Sequence, residues 1–357
     1  AETLIKGSVA ALKATAKALG YAAAIPEPGS IIELAGAMVL SFTLDKMVEP
    51  HTRVIIEKLS EYKITQIFHP SKMLEDSRFT NNLSDMYDSD CILICSPNET
   101  HYKYLKKLLD EYTGYIFCEK PPAVTVSELN ELQKLSISEK QRVFFNFNYR
   151  FSNLADILKD LLNSEKIGKI IHINIIASQG LAFKQKYLGS WRADGKNNLH
   201  NSLDTLSIHY LDLLNLLFGP PISHDYFPSN NSKTGTSYDT CYLVFRYQNE
   251  ITISVLNSYA SPYTNQISIL GNNGFVLISE NNLKIFSPRD TFDSNGFFIS
   301  PPIIEEKIFD FASEYNNSLI DSLNYFLKHV KEKNPIDISQ FNTSMLSNQM
   351  ILDLKNS

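Results

Sequence analysis

Cys91-Ile-Leu-Ile-Cys-Ser-Pro-Asn-Glu-Thr-His101, with its echo Tyr115-Ile-Phe-Cys-Glu-Lys-Pro-Pro122, decides how the rest of the chain is read. Each stretch is a short apolar run that stops at a polar, proline-marked corner and gives way to a helical pattern. Apolar residues in a row, without alternation, fit a strand buried on both faces of a parallel sheet. Open α/β sheets hold their ligands in the crevice at the carboxyl ends of such strands. Ser96, Asn98, His101, Glu119 and Lys120, which stand at these corners, are therefore the first candidates for function.

Working outward, strands are expected at 38–42, 64–68, 91–95, 115–118 and 143–147, and helices at 45–62, at 99–112 and from Ser127 onward. Strands alternating with helices signal a parallel sheet with crossover helices. After Arg150 the texture changes. A helix at 153–163 and a strand at 170–176 precede a long polar loop (179–201) that carries Trp191, the one tryptophan. An apolar helix at 203–218 follows, then four strand patterns between 239 and 279, a helix at 316–331 and a tail from 338. The expected fold class is α/β: a Rossmann-type doubly wound parallel sheet over residues 1–150, with 1–36 atypical. An α+β domain with a large open antiparallel sheet is expected over 151–357.

The chain has 357 residues, 43% of them hydrophobic, and a formal net charge of −6. No basic block stands out, which argues against a nucleic-acid partner. No uncharged apolar run reaches the ~20 residues that span a bilayer. The Ala-rich N-terminus, with Glu2 early and lysines through the middle, does not read as a secretion signal, so a cytoplasmic protein is expected. The four cysteines (91, 95, 118 and 241) form no C-x-x-C turn, and Cys91 and Cys95 are read as facing opposite sides of a regular strand, or at best as not converging. They fit free thiols in a reducing compartment. The eight histidines show no H-x-x-x-H or H-x-H pattern, and no metal site is expected.

Lys120 follows a buried strand at a corner stiffened by two prolines. A partly desolvated lysine there can orient a substrate hydroxyl or share its proton, or simply pair with Glu119 at the surface. His209 lies in the apolar helix, on one face with Thr205 and Asp212. A near-neutral imidazole is the natural group to take a proton from an alcohol, and a core histidine bonded to a carbonyl is the plainer alternative. Trp191 and Arg192 either line a substrate pocket or plug the seam between loop and sheet.

Cys95-Ser-Pro-Asn-Glu-Thr-His101, Glu119-Lys-Pro121, Asn146-Phe-Asn-Tyr-Arg-Phe151, Ile167-Gly-Lys169, Ser190-Trp-Arg192 and His209-Tyr-Leu-Asp212 together resemble the glucose–fructose oxidoreductase / inositol dehydrogenase (Gfo/Idh/MocA) family. The likeness covers roughly residues 63–280. It implies an oxidoreductase that passes hydride between NAD or NADP and a sugar, nucleotide-sugar or cyclitol hydroxyl or ketone. Ser96, Pro97, Asn98, His101, Glu119, Lys120 and Arg150 would contact the cofactor. Lys120 and His209 would carry catalysis, with Asp204 or Thr205 completing the set, and Trp191, Arg192 and Asp212 would meet the substrate. The family carries an acidic or amide residue where Thr205 stands, and Asp204 could replace it only on an irregular backbone.

The phosphate-binding turn is the gap. A dinucleotide fold normally carries Gly-x-Gly-x-x-Gly after its first strand. One candidate is Ile5-Lys-Gly-Ser-Val-Ala10, with Gly7 and Ser8 in the turn and Glu27 twenty residues after Gly7 as the ribose carboxylate, which would favour NAD. The other is Thr43-Leu-Asp-Lys-Met-Val48, which has no glycine. The reading leans to the first. If neither works, the chain is a catalytically inactive relative serving as a binding or partner subunit. A homodimer or homotetramer is expected through the antiparallel sheet, where the run Tyr242–Val255 alternates.

Overall fold

The computed structural model describes residues 37–41, 62–70, 77–279 and 281–356. A six-stranded sheet comes first: β1 (Ala37–Ser41), β2 (Lys63–Phe68), β3 (Phe79–Thr80), β4 (Cys91–Ile94), β5 (Tyr115–Cys118) and β6 (Val143–Phe145). Its order is β3-β2-β1-β4-β5-β6, and every neighbouring pair is parallel. The chain runs outward from β1 to β3, then returns to place β4 on the other side of β1. That reversal is the topological switch point of a Rossmann sheet, and its crevice opens beyond the ends of β1 and β4.

This order corrects the leaning toward residues 5–10. Ala37–Ser41 holds the central place reserved for a strand leading into Gly7, and it pairs with both β2 and β4. Gly7, Ser8 and Glu27, like residues 43–48, lie outside the described residues. The sequence has no glycine between Gly36 and Gly114.

The continuous apolar runs are buried on both faces, as expected. Cys91, Leu93 and Cys95 pack with Phe117, Phe144 and Phe326, whereas Ile92 and Ile94 belong to the other core. Cys91 and Cys95 thus share a face, because side chains alternate with period two and residues four apart coincide. Helix α1 (Asn98–Glu111) buries Tyr104, Leu105, Leu108 and Leu109 as one stripe. Helix α2 (Val126–Gln133) starts from Thr125, one residue pair earlier than the serine signal suggested, because Thr125 and Glu128 form a reciprocal capping box.

Helix α3 (Asn153–Asn163) leads into an eight-stranded sheet: β7 (Ile170–Ser178), β8 (Ser223–Ser229), β9 (Thr240–Arg246), β10 (Thr252–Ser258), β11 (Thr264–Gly271), β12 (Gly274–Ser279), β13 (Asn282–Phe286) and β14 (Ile303–Ile308). The order is β14-β13-β12-β11-β7-β10-β9-β8. The pairs are antiparallel except β7 with β10, so the sheet is mixed. The apolar helix α4 (Ile208–Phe218) packs Leu211 and Leu214 into the same core as Ile173, Ile175, Phe245 and Val255. Val255 therefore faces inward, while Tyr242, on the other face, is 40% exposed and stacks on Phe227.

The chain closes with α5 (Phe311–Glu332) and α6 (Ile338–Asn356). Both return to the first sheet. Phe326 of α5 is fully buried, its ring 5.4 Å from Phe117, and burial of such a ring contributes about 1.5–3 kcal/mol. The expected tail from 338 is a 19-residue helix. Phe341 packs 5.5 Å from Phe145, and Asn348 exchanges two hydrogen bonds, of 2.8 and 3.0 Å, with the backbone of Ala123.

Candidate active site

Two corners face the crevice, and one buried side chain ties them together. His101, 1% exposed, sets Nε2 2.6 Å from Ser96 O and Nδ1 2.8 Å from Pro121 O. Both partners are carbonyls. Burial pushes the imidazole pKa down, against the pull of these two acceptors. His101 thus has both ring nitrogens engaged within the protein and joins β4's corner to β5's, which corrects its expected place as a cofactor contact.

At the first corner, Thr100 Oγ1 lies 2.6 Å from Ser96 Oγ and 2.8 Å from Pro97 O. Pro97 is the N-cap of α1, and no side chain caps the helix. Asn98 does not fold back to do so. Its amide nitrogen is buried without a hydrogen-bond partner. The start of α1, without a side-chain cap, and the spare amide donor of Asn98 thus stand together just past the end of a parallel strand.

The second corner carries Glu119, Lys120 and a cis Lys120–Pro121 bond. Glu119 is buried, and its Oε1 accepts from Asn146 Nδ2 at 2.8 Å. Lys120 points across to the second half of the chain. Its Nζ lies 3.2 Å from Thr205 O and 3.4 Å from Asp204 O. Those carbonyls belong to a π-helical turn, Leu203–Ser207, that precedes α4. The backbone irregularity that Asp204 would need is present, yet its carboxylate is turned away and paired with Lys355 at 2.8 Å. Thr205 is turned away too. Its Oγ1 lies 2.5 Å from Asn201 O and 2.8 Å from the Tyr259 hydroxyl. Lys120 is thus held by the backbone of 204 and 205, not by their side chains.

His209 is 9% exposed, with its ring centroid 5.1 Å from that of Tyr149 and 6.2 Å from that of Tyr315. Nδ1 is buried and has no partner. Burial, then the charge of Lys120, holds its pKa well below the usual histidine value, so the ring is neutral at neutral pH. Tyr149, which precedes Arg150 in sequence, shares a hydrogen bond with Tyr210 and walls the site.

Arg150 and Asp212 do not open onto the crevice. Nε and Nη2 of the arginine reach the two carboxylate oxygens, Nη2 also reaches Ser344 Oγ, and Nη1 reaches Gln340 O and Oε1. All five guanidinium donors are used inside the protein. Asp212, 0% exposed, takes a further bond from Ser347. This corrects both expectations, a cofactor contact for Arg150 and a substrate contact for Asp212. Arg192 is buried with its guanidinium 4.5 Å over the Trp191 ring, and it hydrogen-bonds Tyr259, so this pair joins the site through Tyr259 and Thr205.

The residues the structure adds are Tyr149, Tyr259, Asn201 and Lys355. Only Tyr149 carried a sequence signal, as the neighbour of Arg150. At the nicotinamide end, Asn98, Lys120 and His209 fit a dinucleotide, with orphaned polar atoms on Asn98 and His209. The residues for its phosphate end lie outside those described.

Residues 44–147 match the model of an oxidoreductase family with an NAD-binding Rossmann fold, and residues 156–277 match that of the GFO/IDH/MocA C-terminal domain. Glucose-6-phosphate 3-dehydrogenase of Bacillus subtilis (strain 168) is 26% identical over 190 residues, which span 50% of this chain and about half (54%) of that relative's length. Myo-inositol 2-dehydrogenase of Thermotoga maritima is 21% identical over 305 residues, 84% of this chain and 83% of the relative. A solved oxidoreductase from Thermotoga maritima superposes with a TM-score of 0.71 at 18% identity, covering 89% of this chain and 95% of its own. A levoglucosan dehydrogenase in complex with NADH and levoglucosan gives 0.70 at 16% identity, covering 90% and 98%. At these identities the superpositions establish the fold.

Proposed function

This chain belongs to the Gfo/Idh/MocA family, and from that premise we propose that it is an NAD(P)-dependent oxidoreductase acting on a sugar, nucleotide-sugar or cyclitol hydroxyl or ketone. One observation carries the reading. Lys120, at the corner past β5, is held by the carbonyls of Asp204 and Thr205, one helical turn before His209, whose buried Nδ1 is unpartnered. A bound nicotinamide would supply the hydride acceptor or donor. Lys120, anchored by the carbonyls of 204 and 205, orients the reacting oxygen by its positive charge. His209, neutral and partner-free at Nδ1, takes the hydroxyl proton during oxidation and returns it during reduction. Asn98 and the uncapped start of α1 supply donors for the cofactor. The Tyr149 wall beside His209 suits the apolar face of a sugar or cyclitol ring. Homodimers or homotetramers fit the outer sheet face, where Phe227 and Tyr242 are exposed. Buried free thiols suit the reducing cytoplasm.

Purified protein should shift in melting temperature, or quench in fluorescence, with NADH or NADPH. No response to either would sink the dehydrogenase reading. It would favour a partner subunit that keeps the fold, as the glycine-free stretch between Gly36 and Gly114 would suit.

A further inference from the structure

Lys355, in the last turn of α6, meets Asp204 Oδ1 at 2.8 Å, with the lysine side chain 17% exposed and the aspartate 5%. Asp204 is the second residue of the π-helical turn, in which the Ile208 N–H reaches back to Leu203 O. That wide register turns the carbonyls of Asp204 and Thr205 toward Lys120 Nζ. One residue therefore gives its carboxylate to Lys355 and its carbonyl to Lys120.

The rest of the turn is tied elsewhere. Thr205 is bonded to Asn201 and Tyr259, and Ser207 Oγ donates to Asn257 Oδ1 at 2.7 Å, both on the side of the second sheet. Asp204 is tied instead to α6, which also grips the Lys120 corner, since Asn348 holds both backbone groups of Ala123 two residues past Pro121. One helix thus fixes both sides of the Lys120 contact. Three other titratable groups face Asp204. His200, held below its usual pKa by burial, also faces Lys355, and its Nδ1 lies 2.9 Å from the Tyr226 hydroxyl. Burial holds Tyr226 and Cys241 protonated, so neither supplies a countercharge.

We propose that Lys355 is a positioning residue for Lys120: its pair with Asp204 locks the π-helical turn in the form whose carbonyls hold Lys120 at the crevice. The inference rests on the reading of Lys120 as the substrate-handling lysine, and its test does not need turnover.

In the full-length chain, the rate at which acetic anhydride acetylates Lys120 is followed by peptide mass spectrometry from neutral to alkaline pH. Lys355→Met and Asp204→Asn should each raise that rate by about tenfold, as expected when a charge-assisted hold is lost, and move its pH midpoint. Lys355→Arg should restore the wild-type rate and midpoint. If Lys355→Met leaves the Asp204 carboxylate too costly to fold, Asp204→Asn decides alone, since the charge it leaves unpaired is on Lys355, the more exposed and more flexible partner. Wild-type rate and midpoint in Asp204→Asn would overturn the proposal. That outcome is separate from failure to bind NADH, which would overturn the dehydrogenase reading and leave the geometry of Lys120 standing.

Discussion

Arg150 and Asp212 form a two-pronged buried ion pair, Nε to Oδ2 at 2.7 Å and Nη2 to Oδ1 at 2.6 Å, with side chains 3% and 0% exposed. Arg150 sits just past the first sheet, Asp212 in α4, and Ser344, Ser347 and Gln340 of α6 complete the shell. The pair joins three parts of the chain that are far apart in sequence. Breaking it from one side leaves a charge stranded away from water, at a cost of about 3–5 kcal/mol. Asp212→Ala and Arg150→Met should each lower stability by that amount in urea unfolding. The double variant Arg150→Met/Asp212→Leu should recover most of the loss, because no unpaired charge is left. A loss in the double variant equal to the sum of the two single losses would contradict this account.

His101 joins the two crevice corners through carbonyls 25 residues apart, those of Ser96 and Pro121. His101→Ala removes the one hydrogen bond that a neutral ring can donate to these carbonyls and leaves that buried acceptor bare, at a cost of about 1–3 kcal/mol, and it opens the space the ring fills between the corners. A lower melting temperature is expected, together with NADH affinity weaker by about tenfold, since both corners face the crevice. His101→Gln, which can still donate to one carbonyl, should fall between. Unaltered affinity in a folded His101→Ala variant would show that each corner holds its place without the other.

The buried histidines give the fold an acid limit. Burial lowers the pKa of His209 in the folded state, most strongly with the help of Lys120, and lowers those of His101 and His200 as well. In the unfolded chain each titrates near ~6.5. Below that pH the unfolded state binds more protons than the folded one, so stability is full above about pH 6.5 and declines as the solution is acidified. His209→Gln should flatten this slope. Urea midpoints on either side of about pH 6.5 measure it, and a slope identical to wild type would mean that His209 does not titrate differently on unfolding.

The runs at Cys91–Ile94 and Tyr115–Cys118 were legible because a strand covered on both faces must be apolar throughout. Helix α6 was not. Ser344, Ser347 and Asn348 are fully buried, so the stretch shows no apolar stripe, and the hydrogen bonds that make such burial tolerable come from residues more than a hundred positions away. Lys355 was hidden with it. The first strand was misplaced because the search followed glycine, and the chain around Ala37–Ser41 offers none after Gly36. Lys120 and His209 were singled out from their setting, a lysine at a strand corner and a histidine on an apolar helix. Arg150 and Asp212 were sorted wrongly for the converse reason, since a charged residue facing a crevice and one facing its counter-ion have the same sequence.

Cys91, Cys95, Cys118 and Cys241 are all 2% exposed or less. Burial raises the thiol pKa of Cys91 and Cys118 and pushes that of Cys241 up to about 11. Thiolate is the reactive form, so both access and ionisation protect these residues. Ellman's reagent should titrate none of the four in the native protein and all four in denaturant. Under native conditions the slow residual reaction should follow the opening of the structure around each thiol. Cys118 in β5 and Cys241, whose sulfur lies 3.0 Å from Ser207 Oγ beneath the π-helical turn, should then react no faster than global unfolding allows. Cys95 stands one residue beyond β4 at the crevice. If one thiol reacts ahead of the others it should be this one, and fast labelling of Cys241 instead would mean that the turn beside Lys120 opens on its own.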